Sequence, residues 1–337
     1  MPKGLAKQLR PQQGADLIRF IIDYGKQPPP SSVAFATDTP SPQGESQDAE
    51  TRHEIKLSDD GRRIRISAGS QAFATYHYRH DEVKRPFFAN VKTPKGIQAT
   101  RRFPPGPKDR QDHRDMHPGI WLAFGDVDGE DFWRNKGQVI SQRVNLASGP
   151  SPGEASFTQL KSYVSREGRT ICTETFRCNI RSLNKGYLIE YDSTFSAVDD
   201  REFSFGDQEE MGLGIRVATL MNETHGGIIM DSQGRQGAKQ IWSQSSAWCD
   251  YGGIVDGECV GITVFCHPDN FRESWMHARD FGLIAANAFG RQAMKKGPAS
   301  RIVVKPNEPL RIRYAVFIHD GRTDLENVYQ GYVKRSP

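Results

Sequence analysis

His113 and His117 stand in the run Asp112-His-Arg-Asp-Met-His117-Pro-Gly-Ile-Trp121, shortly after Arg101 and Arg102. The stretch gathers imidazole, guanidinium, carboxylate and indole groups with little apolar content. It therefore reads as a loop held against a scaffold, where binding and catalytic sites are built. A second polar run echoes it: Trp248-Cys-Asp250-Tyr251, then His267-Pro-Asp-Asn270, then Trp275-Met-His277-Ala-Arg279-Asp280, with Asn287 beyond. The expectation is that the two runs meet across one cleft.

These residue types suit proton transfer beside a charged substrate. A histidine serves as acid or base near neutral pH, and an arginine holds a carboxylate or a developing oxyanion. His277 and Arg279, two apart, share one side if the segment is a strand. His117 or His277 is expected to move the proton, with His113 orienting it. Arg279 and Arg101 or Arg102 neutralise charge. Trp121 and Trp248 stack on a sugar ring, whose weakly apolar face suits an indole with a polar rim. Asp250, His267, Asn270 and Asn287 complete the expected substrate contacts. Trp275 is a further ring candidate, whereas Trp133 and Trp242 are expected in the core. Glycoside hydrolysis uses two carboxylates, for which Asp115, Glu209, Glu210 and Asp250 are available. Polysaccharide β-elimination instead needs a base and a neutraliser of a uronate carboxylate, which the His/Arg-rich runs fit slightly better.

The spacing of four between His113 and His117 is also a metal-ligand spacing on a helix. Pro118-Gly119 argues against a helix there, and a third ligand has to come from His267 or His277. The main reading expects no cofactor, and a metal held by His113, His117 and His267 is the alternative. Three function classes follow: an enzyme cleaving a glycosidic linkage, hydrolase or lyase; a non-catalytic glycan-binding module; and a metal-dependent oxidoreductase.

The elements that must position these groups read as strands. Ile64 and Ile66 alternate with arginines, Tyr187 to Phe195 alternate with Leu188 to Ser196, and Leu310 to Ile318 alternate with Arg311 and Arg313. A period of two marks half-buried antiparallel strands. Asp59-Asp60-Gly61, Asn184-Lys-Gly186 and Asp320-Gly321 punctuate them. With no βαβ alternation, GxGxxG motif or P-loop, residues 51–337 are expected to form one large antiparallel β-sandwich, all-β, bearing long polar loops. Residues 275–290 read as a short helix or an irregular strand. Ahead of the sandwich, Leu17, Ile18, Ile21 and Ile22 mark a short helix over residues 1–25, and a Pro/Ser-rich linker spans residues 26–50.

A chain of 337 residues can bury a sizeable core, and its net charge of +4, from 45 basic and 41 acidic residues, carries no basic stripe. Nucleic acid is therefore not an expected partner, and a carbohydrate ligand is. Five cysteines form no CxxC pair, and Cys172 and Cys178 read as unlinked thiols on one face of a strand. No apolar run reaches the ~20 residues needed to span a bilayer, and no signal segment opens the chain. Oligomeric state is not encoded in any of these patterns.

Several spaced motifs carry a resemblance. These are Arg85-Pro-Phe-Phe, Thr100-Arg101-Arg-Phe-Pro-Pro105, His117-Pro-Gly-Ile-Trp121, Gly125-Asp126-Val-Asp-Gly129, Asp131-Phe-Trp133, Asp250-Tyr-Gly-Gly, Asp256-Gly-Glu, His267-Pro-Asp-Asn270 and the run from His277 to Gly290. Over residues 53–335 the chain resembles a bacterial PmoA-like family of unknown function, often labelled "methane oxygenase PmoA". The resemblance implies a supersandwich of the mutarotase and polysaccharide-lyase kind, a carbohydrate-related role and an extracytoplasmic location. Pro118 stands where members of that family often carry a basic residue. The segment from Met1-Pro to Ile22 resembles the tail of bacterial c-type haem-binding domains. With no Cys-x-x-Cys-His, covalent haem is not expected here.

Overall fold

The computed structural model describes residues 53–335. The helix expected over residues 1–25 and the linker over 26–50 lie outside the described residues. Two eight-stranded antiparallel sheets dominate. Across the first sheet the strands run β1 (Ile55–Asp59), β2 (Arg63–Ala68), β3 (Gln71–His77), β4 (Phe87–Ala89), β5 (Ile120–Phe124), β11 (Met211–Arg216), β16 (Leu283–Asn287) and β15 (Trp275–Arg279). The second runs β12 (Ile228–Asp231), β13 (Trp248–Val255), β14 (Glu258–Cys266), β18 (Leu310–Asp320), β9 (Gly186–Ala197), β8 (Thr170–Leu183), β7 (Glu154–Val164) and β6 (Gln138–Ser148). A small pair joins β10 (Phe203–Phe205) to β17 (Ile302–Val304). This is the expected large antiparallel β-sandwich.

The strands form where alternation demands them. On β2, Ile64 and Ile66 point into the core, and on β18, Ile312, Tyr314, Val316 and Ile318 do the same. Burying each such side chain contributes roughly 2 kcal/mol. The hairpin between β8 and β9 turns at Lys185, whose φ of 64° is the left-handed conformation that a tight turn requires. Residues 275–287 resolve as the hairpin of β15 and β16 rather than a helix, with His277 opposite Ala285. Cys172 and Cys178 are free, buried thiols on the inner face of β8.

The alternation has polar members inside the core. Glu174 on β8 accepts hydrogen bonds from Lys161 at 2.8 Å, Tyr163 at 2.8 Å and Ser193 at 2.7 Å. This network is tolerable in a dry interior because each charge finds partners.

Each sheet keeps one face for the shared core and turns the other outward. On the second sheet that outer face is covered by the C-terminal helix, which packs Leu325, Tyr329 and Tyr332 against Leu188, Phe265, Phe317 and Trp248. This helix, Leu325–Arg335, is α2; α1 is the short helix Ala238–Ile241. No described helix is long and apolar enough to cross a membrane. On the first sheet, Ile120, Leu122, Leu213, Ile215, Ile284, Ala286, Met276 and Ala278 face the core. The intervening residues Trp121, Gly214, Ala285 and His277 therefore form one row across the outer face, through the pairings Trp121–Gly214, Gly214–Ala285 and Ala285–His277.

Candidate active site on the outer face of the first sheet

β15 is the edge strand, and it lifts His277 and Arg279 onto the outer face beside Glu209. Glu209 Oε1 lies 3.0 Å from His277 Nδ1, and it accepts hydrogen bonds from Arg279 and, at 2.9 Å, from Trp242 Nε1. The imidazole contact is off the line of a full hydrogen bond. The Arg279 guanidinium reaches across to Glu209 rather than pairing with its sequence neighbours. Burial alone would raise the Glu209 carboxyl, but the adjacent imidazole and guanidinium hold it down at about 2, so it stays ionised.

Asn287 fixes this carboxylate in place. Its side-chain amide donates to the carbonyls of Gln208 and Glu209 at 2.8 and 3.0 Å, and its oxygen accepts from the amides of Phe289 and Gly290. With its side chain fully committed to backbone, Asn287 orients the 208–209 loop.

Arg279, Asp280 and Trp242 line a cleft of about 480 Å³ together with Glu223 and Lys239. Glu223 opens a short 3-10 turn, and its Oε2 accepts from the Ala238 amide at the start of α1 at 3.0 Å. Its own amide is held by the Asp280 carbonyl and the Tyr251 hydroxyl, both at 3.1 Å. Burial raises the proton affinity of Glu223; the Ala238 amide opposes this and the Asp280 charge adds to it. Glu223 thus lines the cleft, while Glu209 lies behind its wall, bonded to Trp242 and Arg279; the two carboxyls shift in opposite directions, as acid and base roles require. Sequence reasoning passed over Glu223 as a site residue. Trp242, expected in the core, is half-buried on the cleft wall.

The first polar run lies on the same face, three strands away at β5, or ~14 Å at ordinary strand spacing. Here the expected roles meet a different geometry. His117 is 2% exposed, stacks on Trp121 with ring centroids 5.2 Å apart, and accepts from Trp133 Nε1 at 3.4 Å. Burial, then the charges of Arg216 and other neighbours, hold its pKa near 2, so the ring stays neutral. A dry, neutral imidazole is a poor proton carrier. Trp121 is fully buried between His117 and Trp133, and no face is open for a sugar. Arg101 is buried and donates to the carbonyls of Arg110, Asp112, His113 and His117, which clamps the loop rather than a ligand. Arg102 is exposed, 3.6 Å from Asp109. His113 stands half-exposed at the rim, its ring 5.2 Å from that of His117.

The remaining expected contacts belong to the second sheet. Asp250 is buried on β13 beside Thr263 at 2.8 Å and His319 at 3.2 Å. Trp248 donates to Glu326 of α2 at 3.0 Å, and the His267 ring meets Tyr332 of the same helix edge-on. Asn270 brackets the backbone of Arg313 on β18. The expectation of one shared cleft is therefore corrected: the 275–287 hairpin shares a face with the 112–121 run, whereas Trp248, Asp250, His267 and Asn270 do not. His267 is likewise displaced from the metal triad expected with His113 and His117. No group of three or more His, Cys, Asp or Glu able to hold a metal occurs among the described residues.

A family model described as a family of unknown function (DUF6807) matches residues 63–332. The chain belongs to that family. The match reaches the unknown-function part of the resemblance, not the PmoA label. No curated protein sequence matches the chain. Among solved structures, this DUF6807 member is similar to the galactosidase domain of an alpha-galactosidase-sucrose kinase at 9% identity and TM-score 0.43, covering 79% of this chain and 42% of that one. It is also similar to galactose 1-epimerase from Lactobacillus acidophilus, at 7% identity and TM-score 0.41, covering 80% and 98%. A galactose mutarotase-like protein from Lactobacillus casei gives 9% identity and TM-score 0.36, covering 79% and 100%. The chain thus spans about two-fifths of the galactosidase and nearly all of the other two.

Proposed function

We propose that this chain is a carbohydrate-active enzyme that cleaves a glycosidic linkage by acid–base hydrolysis in the Trp242 cleft. The observation that carries the reading is the Trp242 indole on a cleft wall, with Glu223 lining the same cleft and Glu209 bonded to the indole Nε1. Glu209 is held near 2 by its contacts with His277 and Arg279, and Glu223 is raised by burial. Glu223 gives a proton to the departing glycosidic oxygen as the anomeric C–O bond breaks, and a water then bonds to the anomeric carbon and returns its proton to Glu223. Glu209, ionised, stabilises the positive charge that develops on the sugar ring. His277 and Arg279 hold Glu209 in that state, and Trp242 offers the ring face. The same reading places the protein outside the cytoplasm, where glycan polymers are met.

Incubation of the purified protein with a polysaccharide panel tests this, reading reducing ends and the ultraviolet absorbance of unsaturated uronates together. New reducing ends without unsaturation, abolished in Glu223→Gln, are expected. Unsaturated products would replace hydrolysis with elimination, with His277 as base. Binding with neither product would reduce the protein to a glycan-binding module.

A further inference from the structure

The proposed reaction leaves unused a group of buried donors beside β5 and β11. Trp133 Nε1 donates to His117 Nε2, so the neutral imidazole carries its hydrogen on Nδ1. That Nδ1–H has no acceptor among the described residues, and neither do Trp121 Nε1, Arg216 Nη1 and Arg85 Nε. All four residues are 3% exposed or less. They are also neighbours. His117 lies parallel to Trp121, and the Arg85 guanidinium sits 5.8 Å from the Trp121 ring centre. The indole leans over Gly214, where a Cβ would come within 2.5 Å of it. Arg216 leaves the same face of β11 two residues on, about 7 Å along the strand.

The local charge has the same sign as the unmet donors. Arg101, Arg110 and Arg216 share a single carboxylate, Asp112, at 3.5, 3.3 and 3.1 Å. Buried donors without acceptors are costly to keep for packing alone. A group made entirely of donors, with positive charge in excess, matches a ligand made of acceptors with negative charge. His113 borders the group, half-exposed with its ring 5.2 Å from that of His117.

We propose that Arg216, His117 and Trp121 form a subsite for an oxyanion carried by a sugar, a carboxylate or a sulfate ester, seated under the 104–117 loop. The sugar part rests on the glycan reading above, and the anion part does not. The substrate class is then an acidic glycan, with its charged residue held on β5 and β11 and its cleaved bond at β15.

Calorimetric titration of the intact protein with D-glucuronate, a sulfated glucose, D-glucose and inorganic sulfate tests the subsite without requiring turnover. One charged sugar should bind at least tenfold more tightly than glucose, and which one does so identifies the substituent. Arg216→Gln should weaken that binding by roughly tenfold or more, the loss of one charge-assisted hydrogen bond. His117→Phe keeps a ring on Trp121 but removes the Nδ1 donor, so it serves if Arg216→Gln does not fold. Glu223→Gln should leave the binding intact. Equal binding of glucose, or charged-sugar binding that survives both Arg216→Gln and His117→Phe, overturns the subsite. Inorganic sulfate bound with no gain for either charged sugar overturns the sugar ligand. Charged-sugar binding by a protein that cleaves no glycan would leave the subsite standing and remove the hydrolase.

Discussion

A histidine kept neutral by burial makes stability depend on pH in a defined direction. In the unfolded chain His117 takes up a proton near its ordinary value of 6.5, whereas in the folded chain it does so only near 2. The unfolded state therefore binds the extra proton first as pH falls. The stability His117 contributes is complete above 6.5 and drains away between 6.5 and 2, by about 1.4 kcal/mol per pH unit at most. His77, stacked on Phe87 and lowered to about 4, acts in the same direction over the upper part of that window. Denaturant titrations between pH 7 and pH 4 should show falling stability for the parent and a shallower slope for His117→Phe. An unchanged slope in the variant would mean that His117 is already solvated in the folded protein. The types of the chemical residues were legible in the sequence, but their surroundings were not. Nothing in the His117-Pro-Gly-Ile-Trp121 run announces that both rings close over one another, because the covering groups, Trp133 and Arg101, come from elsewhere in the chain.

At the scale of elements, the strands were readable because a period of two survives wherever one face is apolar, as on β2, β9 and β18. α2 was missed although its signals were present. Asp324 caps it by accepting from the Asn327 amide at 3.0 Å, and Leu325, Tyr329 and Tyr332 recur at helical spacing. That one helix accounts for two displaced site residues, since Trp248 and His267 turn toward it. Asn287 is the element-scale device of the proposed site, tying β16 to the 208–209 loop that presents Glu209. Asn287→Ala should cost about 2 kcal/mol of stability from its lost backbone contacts. Because it acts through Glu209, it should lower kcat by roughly a hundredfold while changing KM far less. A variant that raised KM and spared kcat would show that Asn287 binds substrate instead of positioning the carboxylate.

At the scale of the whole molecule, a sandwich has two outer faces, and adjacency in sequence does not say which one a strand serves. β13 and β14 belong to the second sheet, β15 and β16 to the first, so the chain changes face between His267 and Trp275. That crossing separates the polar run that reads as continuous, and it disperses the three histidines of the metal reading. Glycan cleavage should accordingly persist after dialysis against a chelator, measured as reducing ends released; loss restored by one added divalent metal would return the metal-dependent reading. The central claim is that the cleft beside β15, at Trp242 and Glu223 with Glu209 behind the indole, is where a glycan is cut. Its most direct test is a crystal structure of Glu223→Gln with an oligosaccharide that the parent cleaves. The account predicts a sugar ring against Trp242 with its glycosidic oxygen within hydrogen-bonding reach of residue 223; a sugar bound on the second sheet, beside α2, would contradict it.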